Sequence, residues 1–242
     1  MRLFISVLFI FSAVAAFAQK GQPRLLKPLE KKVVALSATF DQIDPARKES
    51  LHAIGEYLAG EILAGKPAQA LFVCTHNSRR SQISQAWAEA GAFYYGFDLT
   101  AYSGGTEATA FHPNSRAALK RAGFRLTLSG DQNAKNPDVL VEFSPSVAGL
   151  MFNSKRYSDA GAQKGAFAAV MVCSEADRSC PIVEGAGFRM ALPFEDPKHA
   201  DGTPAQDATY DATVDLIGRE VLYLMSDVKR RLVAAKEASA GN

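Results

Sequence analysis

The chain has 242 residues, 48% of them hydrophobic and 21% charged, with a formal charge of +2 and a sequence pI near 8.4. That is ordinary globular composition, long enough for one domain with a sizeable core plus extensions. The charge is too mild to argue for a nucleic-acid partner or an anionic membrane surface.

The first residues read as a targeting segment. Arg2 is a short basic start, Leu3 to Val14 is an almost unbroken apolar run, and Ala16-Phe17-Ala18 is a small-x-small cleavage pattern. The run is short for a membrane span. We therefore expect residues 1–18 to be a signal peptide, and the protein to be periplasmic or secreted, with no membrane attachment after cleavage. Residues 19–66 read as an N-terminal tail and helical extension. Gln19 to Lys32 is polar with Pro23 and Pro28 and is expected to be loosely draped. Val33 to Phe40 is compatible with a short helix or a strand. Asp44-Pro45 is a helix start, with Leu51, Ile54, Tyr57, Leu58 and Ile62 on one face as far as Leu63.

Residues 67–232 read as the main domain. Leu71-Phe72-Val73 is a buried strand, followed by a polar loop, Cys74 to Ser81, and a helix to about Phe93. Leu99 to Tyr102 is a second strand, ending in Ser103-Gly104-Gly105-Thr106. Pro113-Asn114-Ser115 opens a helix that closes at Gly123. Phe167 to Val172 is a third, central strand and Phe188 to Phe194 a fourth. Thr209 to Arg231 is an amphipathic helix, and residues 233–242 are a C-terminal tail. Within this order, residues 136–159 hold two apolar runs, Val139 to Phe143 and Val147 to Phe152, read as a β-hairpin insertion that extends the sheet. The crossovers suit parallel pairing, so the expected fold is α/β: a flavodoxin-like, open, doubly wound sheet of about four parallel strands flanked by helices. Ligands of such sheets sit at the carboxyl ends of the strands.

Three groups fall at that edge. A strand feeding a polar loop feeding a helix start is an anion cradle. Five residues separate Cys74 from Arg80, whose forked guanidinium suits a tetrahedral oxyanion. Thr75, His76, Asn77, Ser78, Arg79 and Ser81 complete the candidate oxyanion loop. Its field favours the cysteine thiolate, the nucleophilic form; Ser81 is placed to hydrogen-bond it and Asn77 to hold the loop in shape. Asp196, before Pro197, is a candidate general acid, although Asp-Pro is equally a turn signal. Cys173 and Cys180, with six residues between them, are either an inert disulfide or a redox pair. Three cysteines leave at least one thiol unpaired. The four histidines show no metal-ligand spacing.

Cys-Thr-His-Asn-Ser-Arg-Arg-Ser-Gln resembles the phosphate loop of the low-molecular-weight protein tyrosine phosphatase superfamily. The Tyr102–Glu107 stretch, Pro113-Asn114, Cys-Ser-x-Ala-Asp-x-x-Cys-Pro at Cys173–Pro181 and Asp196-Pro197 make it look closest to the thioredoxin-coupled arsenate reductases. The resemblance implies no bound cofactor. It implies arsenate or phosphate as substrate, Cys74 as nucleophile, Asp196 as proton donor, and Cys173 and Cys180 as a resolving relay emptied by an external, thioredoxin-like thiol reductant. Two positions depart: His76 stands where the family usually has Gly, which puts the loop backbone in question, and Arg79 replaces what is often Cys. The second expectation is hydrolysis of phosphate monoesters through a phosphocysteine. The third is non-catalytic oxyanion binding.

Overall fold

The computed structural model describes residues 24–131, 133–162 and 164–241; the segment expected to be a signal peptide lies outside them. Four strands, β1 (Gln69–Cys74), β2 (Thr100–Gly105), β6 (Phe167–Met171) and β7 (Ala186–Ala191), form a parallel sheet in the order β2-β1-β6-β7. This is the flavodoxin-like α/β arrangement. β1 and β6 are buried along their whole length, as their unbroken apolar runs predict for central strands. The chain leaves β1 for β2 on one side and later fills β6 on the other. The topological switch therefore lies between β1 and β6, whose carboxyl ends carry Cys74 and Cys173.

β7 ends earlier than its apolar run suggests, because Pro193 has no N–H to give to a ladder. The following residues stay extended all the same: the Leu192 N–H donates to Met171 O at 2.9 Å and the Phe194 N–H to Val172 O at 3.2 Å.

The helices are α1 (Lys27–Ser37), α2 (Pro45–Leu63), α3 (Arg80–Tyr95), α4 (Pro113–Ala122), α5 (Ser174–Ser179) and α6 (Gln206–Ala240). Two expectations are corrected here. The later part of the segment read as a loose tail, from Lys27, folds into α1, whose Leu29, Val33 and Leu36 are buried at helical spacing. Gly123 closes α4 at φ 109°, and a Cβ there would lie 2.4 Å from the Leu29 nitrogen, so α1 is seated directly on the end of α4. The residues read as a C-terminal tail continue α6 to Ala240; Ala234, Ala235, Lys236, Glu237 and Ala238 are all strong helix formers. α2 starts as its sequence indicates, with Asp44 Oδ1 accepting from the Ala46 N–H at 2.9 Å. It lies along α6, and Tyr57 stacks on Phe188 of β7 with centroids 5.2 Å apart. Among the described residues no helix is long and apolar enough to cross a membrane.

The insertion also differs. β4 (Asp138–Glu142) and β5 (Leu150–Phe152) are the expected hairpin, but β4 also pairs antiparallel with β3 (Arg125–Ser129), so the three strands form a sheet of their own and do not extend the main one. The alternation of Arg125-Leu126-Thr127-Leu128-Ser129 is a half-buried strand pattern that marks β3. Past β5, the chain returns to the main sheet through Lys155 O, which accepts from the Gly105 N–H at 2.9 Å.

One buried carboxyl gives the fold a pH signature. Glu89 of α3 lies against β2, and its Oε1 accepts from the Ala101 N–H at 2.6 Å. Burial lifts its pKa from 4.5 to about 7, only partly opposed by that hydrogen bond. Between pH 4.5 and 7 the folded chain then holds a proton that the unfolded chain has released. The contribution is complete below pH 4.5 and is lost as pH rises to about 7. Glu89→Gln keeps the acceptor and removes the titration. Thermal melts are expected to show the variant more stable than the parent at pH 8, with the parent's loss across that window abolished.

Candidate active site

Cys74 ends β1 and Arg80 begins α3, so the intervening loop runs directly into a helix start, whose first N–H groups have no intrahelical partner. The Cys74 Sγ lies 3.0 Å from Ser81 Oγ, and Asn77 Nδ2 donates to the same hydroxyl at 2.9 Å. Both Cys74 and Ser81 are buried. Asn77 carries the loop's unusual backbone. At φ 45° it is the one non-glycine residue with positive φ among those described, and asparagine is among the side chains that tolerate that region best. Its Oδ1 accepts from the Lys155 N–H at 2.9 Å and from Gln82 Nε2 at 3.3 Å. Gln82 Nε2 also donates to Asn77 O and Asn153 O. The returning arm of the insertion thus braces the loop.

The backbone strain anticipated at His76 is absent: its φ is not positive, and the strain falls on Asn77. The His76 carbonyl accepts from Ser154 Oγ at 2.9 Å and Thr109 Oγ1 at 3.2 Å, while its half-exposed ring sits 3.5 Å from Glu107. Ser78 is buried, and its carbonyl accepts from the His112 N–H at 3.0 Å. Gly105, at the end of β2, closes the loop's other side; a Cβ there would come within 2.6 Å of Thr75 O and 2.7 Å of Asn77 N, which only glycine allows.

Asp196 comes to the same place. Its Oδ2 accepts from Arg80 NH2 at 2.6 Å, while Arg80 NH1 donates to Phe194 O at 2.9 Å. Asp196 also caps a short 3-10 turn, its Oδ1 accepting from the Lys198 N–H at 3.1 Å. The turn reading and the active-edge reading of Asp-Pro are therefore both satisfied.

Arg79 points along the loop's flank rather than standing alone. Its Nε donates to Tyr210 Oη at 2.7 Å and its NH2 to Asp201 at 2.9 Å, with Asp196 3.9 Å away. Burial lowers the guanidinium's affinity for its proton, but the Tyr210 hydrogen bond and the charges around it outweigh that and raise its pKa. Burial pushes the Asp201 carboxyl up, but the Tyr210 hydrogen bond, the Arg79 charge and the Asn114 hydrogen bond together outweigh it and hold it below the ordinary carboxylate range. Tyr210, buried and donating to Asp201 at 2.7 Å, is pushed up to about 12. His112, stacked on Tyr210, is lowered by burial first and by Arg79 second.

The three thiols are all free. The β1–β6 register pairs Val73 with Met171, and the Val172 N–H donates to Val73 O at 2.8 Å. Carrying that register forward sets Thr75 against Cys173, and Thr75 Oγ1 lies 3.5 Å from Cys173 Sγ. Cys173 is fully buried beside the loop that holds Cys74. The residues between Cys173 and Cys180 form α5, not an open loop. Cys173 Sγ accepts from the Ala176 N–H at 3.3 Å at one end. At the other, half-buried Cys180 has its carbonyl held by Arg189 of β7.

The structure thus gathers Cys74, the loop from Thr75 to Ser81, Asp196 and Cys173 at one sheet edge, with Cys180 one short helix away. Reading the sequence missed Gln82, Lys155, Tyr210, Asp201 and Arg47. Gln82 directly follows the loop, and Asp201 lies five residues beyond Asp196; proximity to those motifs was the only signal either carried. Among the described residues no cluster of His, Cys, Asp or Glu side chains is arranged to hold a metal ion.

Residues 69–157 match the family model for low molecular weight phosphotyrosine protein phosphatase. An arsenate reductase of Bacillus cereus is 31% identical over 126 residues, covering 52% of this chain and 74% of its own length. One from Halalkalibacterium halodurans is 28% identical over 151 residues, covering 62% of this chain and 89% of its own. Among solved structures, an arsenate reductase from Archaeoglobus fulgidus superposes with a TM-score of 0.44 at 19% identity, covering 65% of this chain and 98% of its own. The chain belongs to the low-molecular-weight protein tyrosine phosphatase superfamily, close to its arsenate reductases. It is a cysteine-dependent enzyme of that superfamily.

Proposed function

We propose that this chain is an arsenate reductase that runs a three-cysteine relay, exported to the periplasm or beyond the cell. The observation that carries the reading is Cys173 at the loop of Cys74, with Cys180 the only other thiol of the chain close behind it in sequence. The relatives named arsenate reductase and the Cys173–Pro181 motif support it. The basic start, apolar run and Ala16-Phe17-Ala18 support export.

In this reading the loop and Arg80 hold arsenate, and the Cys74 thiolate attacks arsenic. Asp196 gives its proton to the departing oxygen, which leaves as water. Cys173 then attacks the Cys74 sulfur. The sulfur–arsenic bond breaks with its electron pair staying on arsenic, so arsenite leaves and a Cys74–Cys173 disulfide remains. Cys180 attacks Cys173 and releases the Cys74 thiolate. An external dithiol of the thioredoxin type supplies the two electrons that reopen Cys173–Cys180. Cys173 and Cys180 cap the two ends of α5; at a helical rise their seven-residue separation is about 10 Å, and a disulfide needs Cα atoms within about 7 Å, so α5 unwinds in the second exchange.

The test is a single turnover without donor. Reduced protein mixed with arsenate is expected to release one arsenite per chain, and peptide mapping to find Cys173 joined to Cys180. Arsenite released while both thiols remain free would sink the relay. A second reading is hydrolysis of phosphate monoesters through a phosphocysteine. Arg80, Asp196 and Cys74 suffice for it, and the folded α5, which separates the other two cysteines, favours it.

A further inference from the structure

We infer that Arg47, in the first turn of α2, is a positioning residue for the loop that carries Asp196, which makes the N-terminal extension part of the active site. This rests on Asp196 being the proton donor of the proposed chemistry. The extension precedes the family-matched region, which begins at residue 69, so nothing in the family resemblance accounts for it.

The loop after β7 is held from several sides. One side is fixed by the sheet, through the Phe194 N–H on Val172 O. Arg80 takes the Phe194 carbonyl at 2.9 Å. The preceding carbonyl, Pro193 O, is taken by Arg47 NH1, also at 2.9 Å. The Arg47 guanidinium also lies over the Phe194 ring, 4.8 Å from its centroid. Two arginines from two helices thus grip consecutive carbonyls, two to three residues before Asp196.

Arg47 is itself anchored. Its Nε donates to both carboxylate oxygens of Glu220 at 3.1 Å, and its NH2 to Oε2. Glu220 lies on α6 at 4% exposure. A carboxylate so buried needs a partner that satisfies both oxygens, and a guanidinium does so in one plane while leaving NH1 for the loop. Asp44 caps the helix just before Arg47 and fixes where α2 begins. The chain Glu220–Arg47–Pro193 therefore transmits the position of α6 and α2 to the acid loop. A displacement of that loop moves the Asp196 carboxyl relative to Cys74, and misplacement by about 1 Å can cost about a hundredfold in rate.

The experiment compares the parent with Arg47→Ala and Arg47→Lys in two readouts. Hydrogen exchange is expected to quicken at residues 192–200 in both variants while β1 and α3 keep their protection. Unchanged exchange at 192–200, or a rise spread evenly over the chain in both variants, would overturn the assignment. Arg47→Lys keeps a charge for Glu220, so it guards against a variant that merely unfolds. In the second readout, hydrolysis of an aryl phosphate with a poor leaving group is expected to fall about tenfold to a hundredfold. With a dinitrophenol leaving group, which needs no proton, the loss stays within about threefold. Equal losses on both substrates would assign Arg47 a structural role only. Exchange needs no turnover, so with a parent that does not hydrolyse aryl phosphates the anchor is decided by exchange alone.

Discussion

Cys74→Ser is expected to lower turnover by about four orders of magnitude or more, the scale seen when an essential nucleophile is removed. The expectation holds for arsenate and for aryl phosphates alike, because both proposed routes begin with the same sulfur. The fold is expected to survive. Cys74 is buried at the end of a fully buried strand, and a serine hydroxyl there meets Ser81 Oγ, the same neighbour that the thiol has at 3.0 Å. Asn77, Gln82 and Lys155 continue to hold the loop. Calorimetry with inorganic phosphate separates the two effects: affinity retained with turnover lost assigns the defect to chemistry. Activity within about tenfold of the parent would rule Cys74 out as the nucleophile.

Arg80→Lys is the second large effect. One guanidinium here donates to Phe194 O through NH1 and to Asp196 through NH2, and its buried Nε has no hydrogen-bond partner among the described residues. Lysine keeps the charge but has neither the fork nor the plane. Losing a preorganised donor to developing negative charge costs about 10²–10³ in rate. We expect a loss in that range, together with weaker inhibition by phosphate, in steady-state kinetics with phosphate as competitor. A variant whose phosphate affinity and rate both stay within about threefold would show that charge alone serves the site.

Much of this arrangement was legible in the residues. The apolar runs at Leu71–Val73 and Phe167–Val172 marked the two central strands, and their order put Cys74 and Cys173 at one edge. Local chemistry marked Asp44 as a cap and Gly123 as a helix end, because each depends on residues within one turn. What stayed hidden depends on contacts across the chain. Lys27 to Lys32 is mostly polar and carries Pro28, so it reads as tail, and from Val33 the pattern fits helix and strand alike, until α4 and α6 provide the surface that buries Leu29, Val33 and Leu36. The insertion's own sheet needed β3, which sits between two glycines and has only one fully buried residue, Leu126. The Gly-to-His departure pointed to His76, but the positive φ belongs to its neighbour Asn77, a residue type that tolerates that region and was the better signal. Tyr210 reaches the loop, and Arg47 the segment before Asp196, from distant parts of the chain, where spacing carries no information.

The account turns on whether the cysteine pair is a working relay. The most direct measurement is steady-state arsenite release with a thioredoxin-type donor, run on the parent and on Cys180→Ser beside aryl-phosphate hydrolysis by the same two proteins. The account predicts arsenite release that Cys180→Ser abolishes, while any aryl-phosphate hydrolysis persists. Arsenite release undiminished by Cys180→Ser, or an absence of arsenite release in a parent that hydrolyses the aryl phosphate, would contradict it.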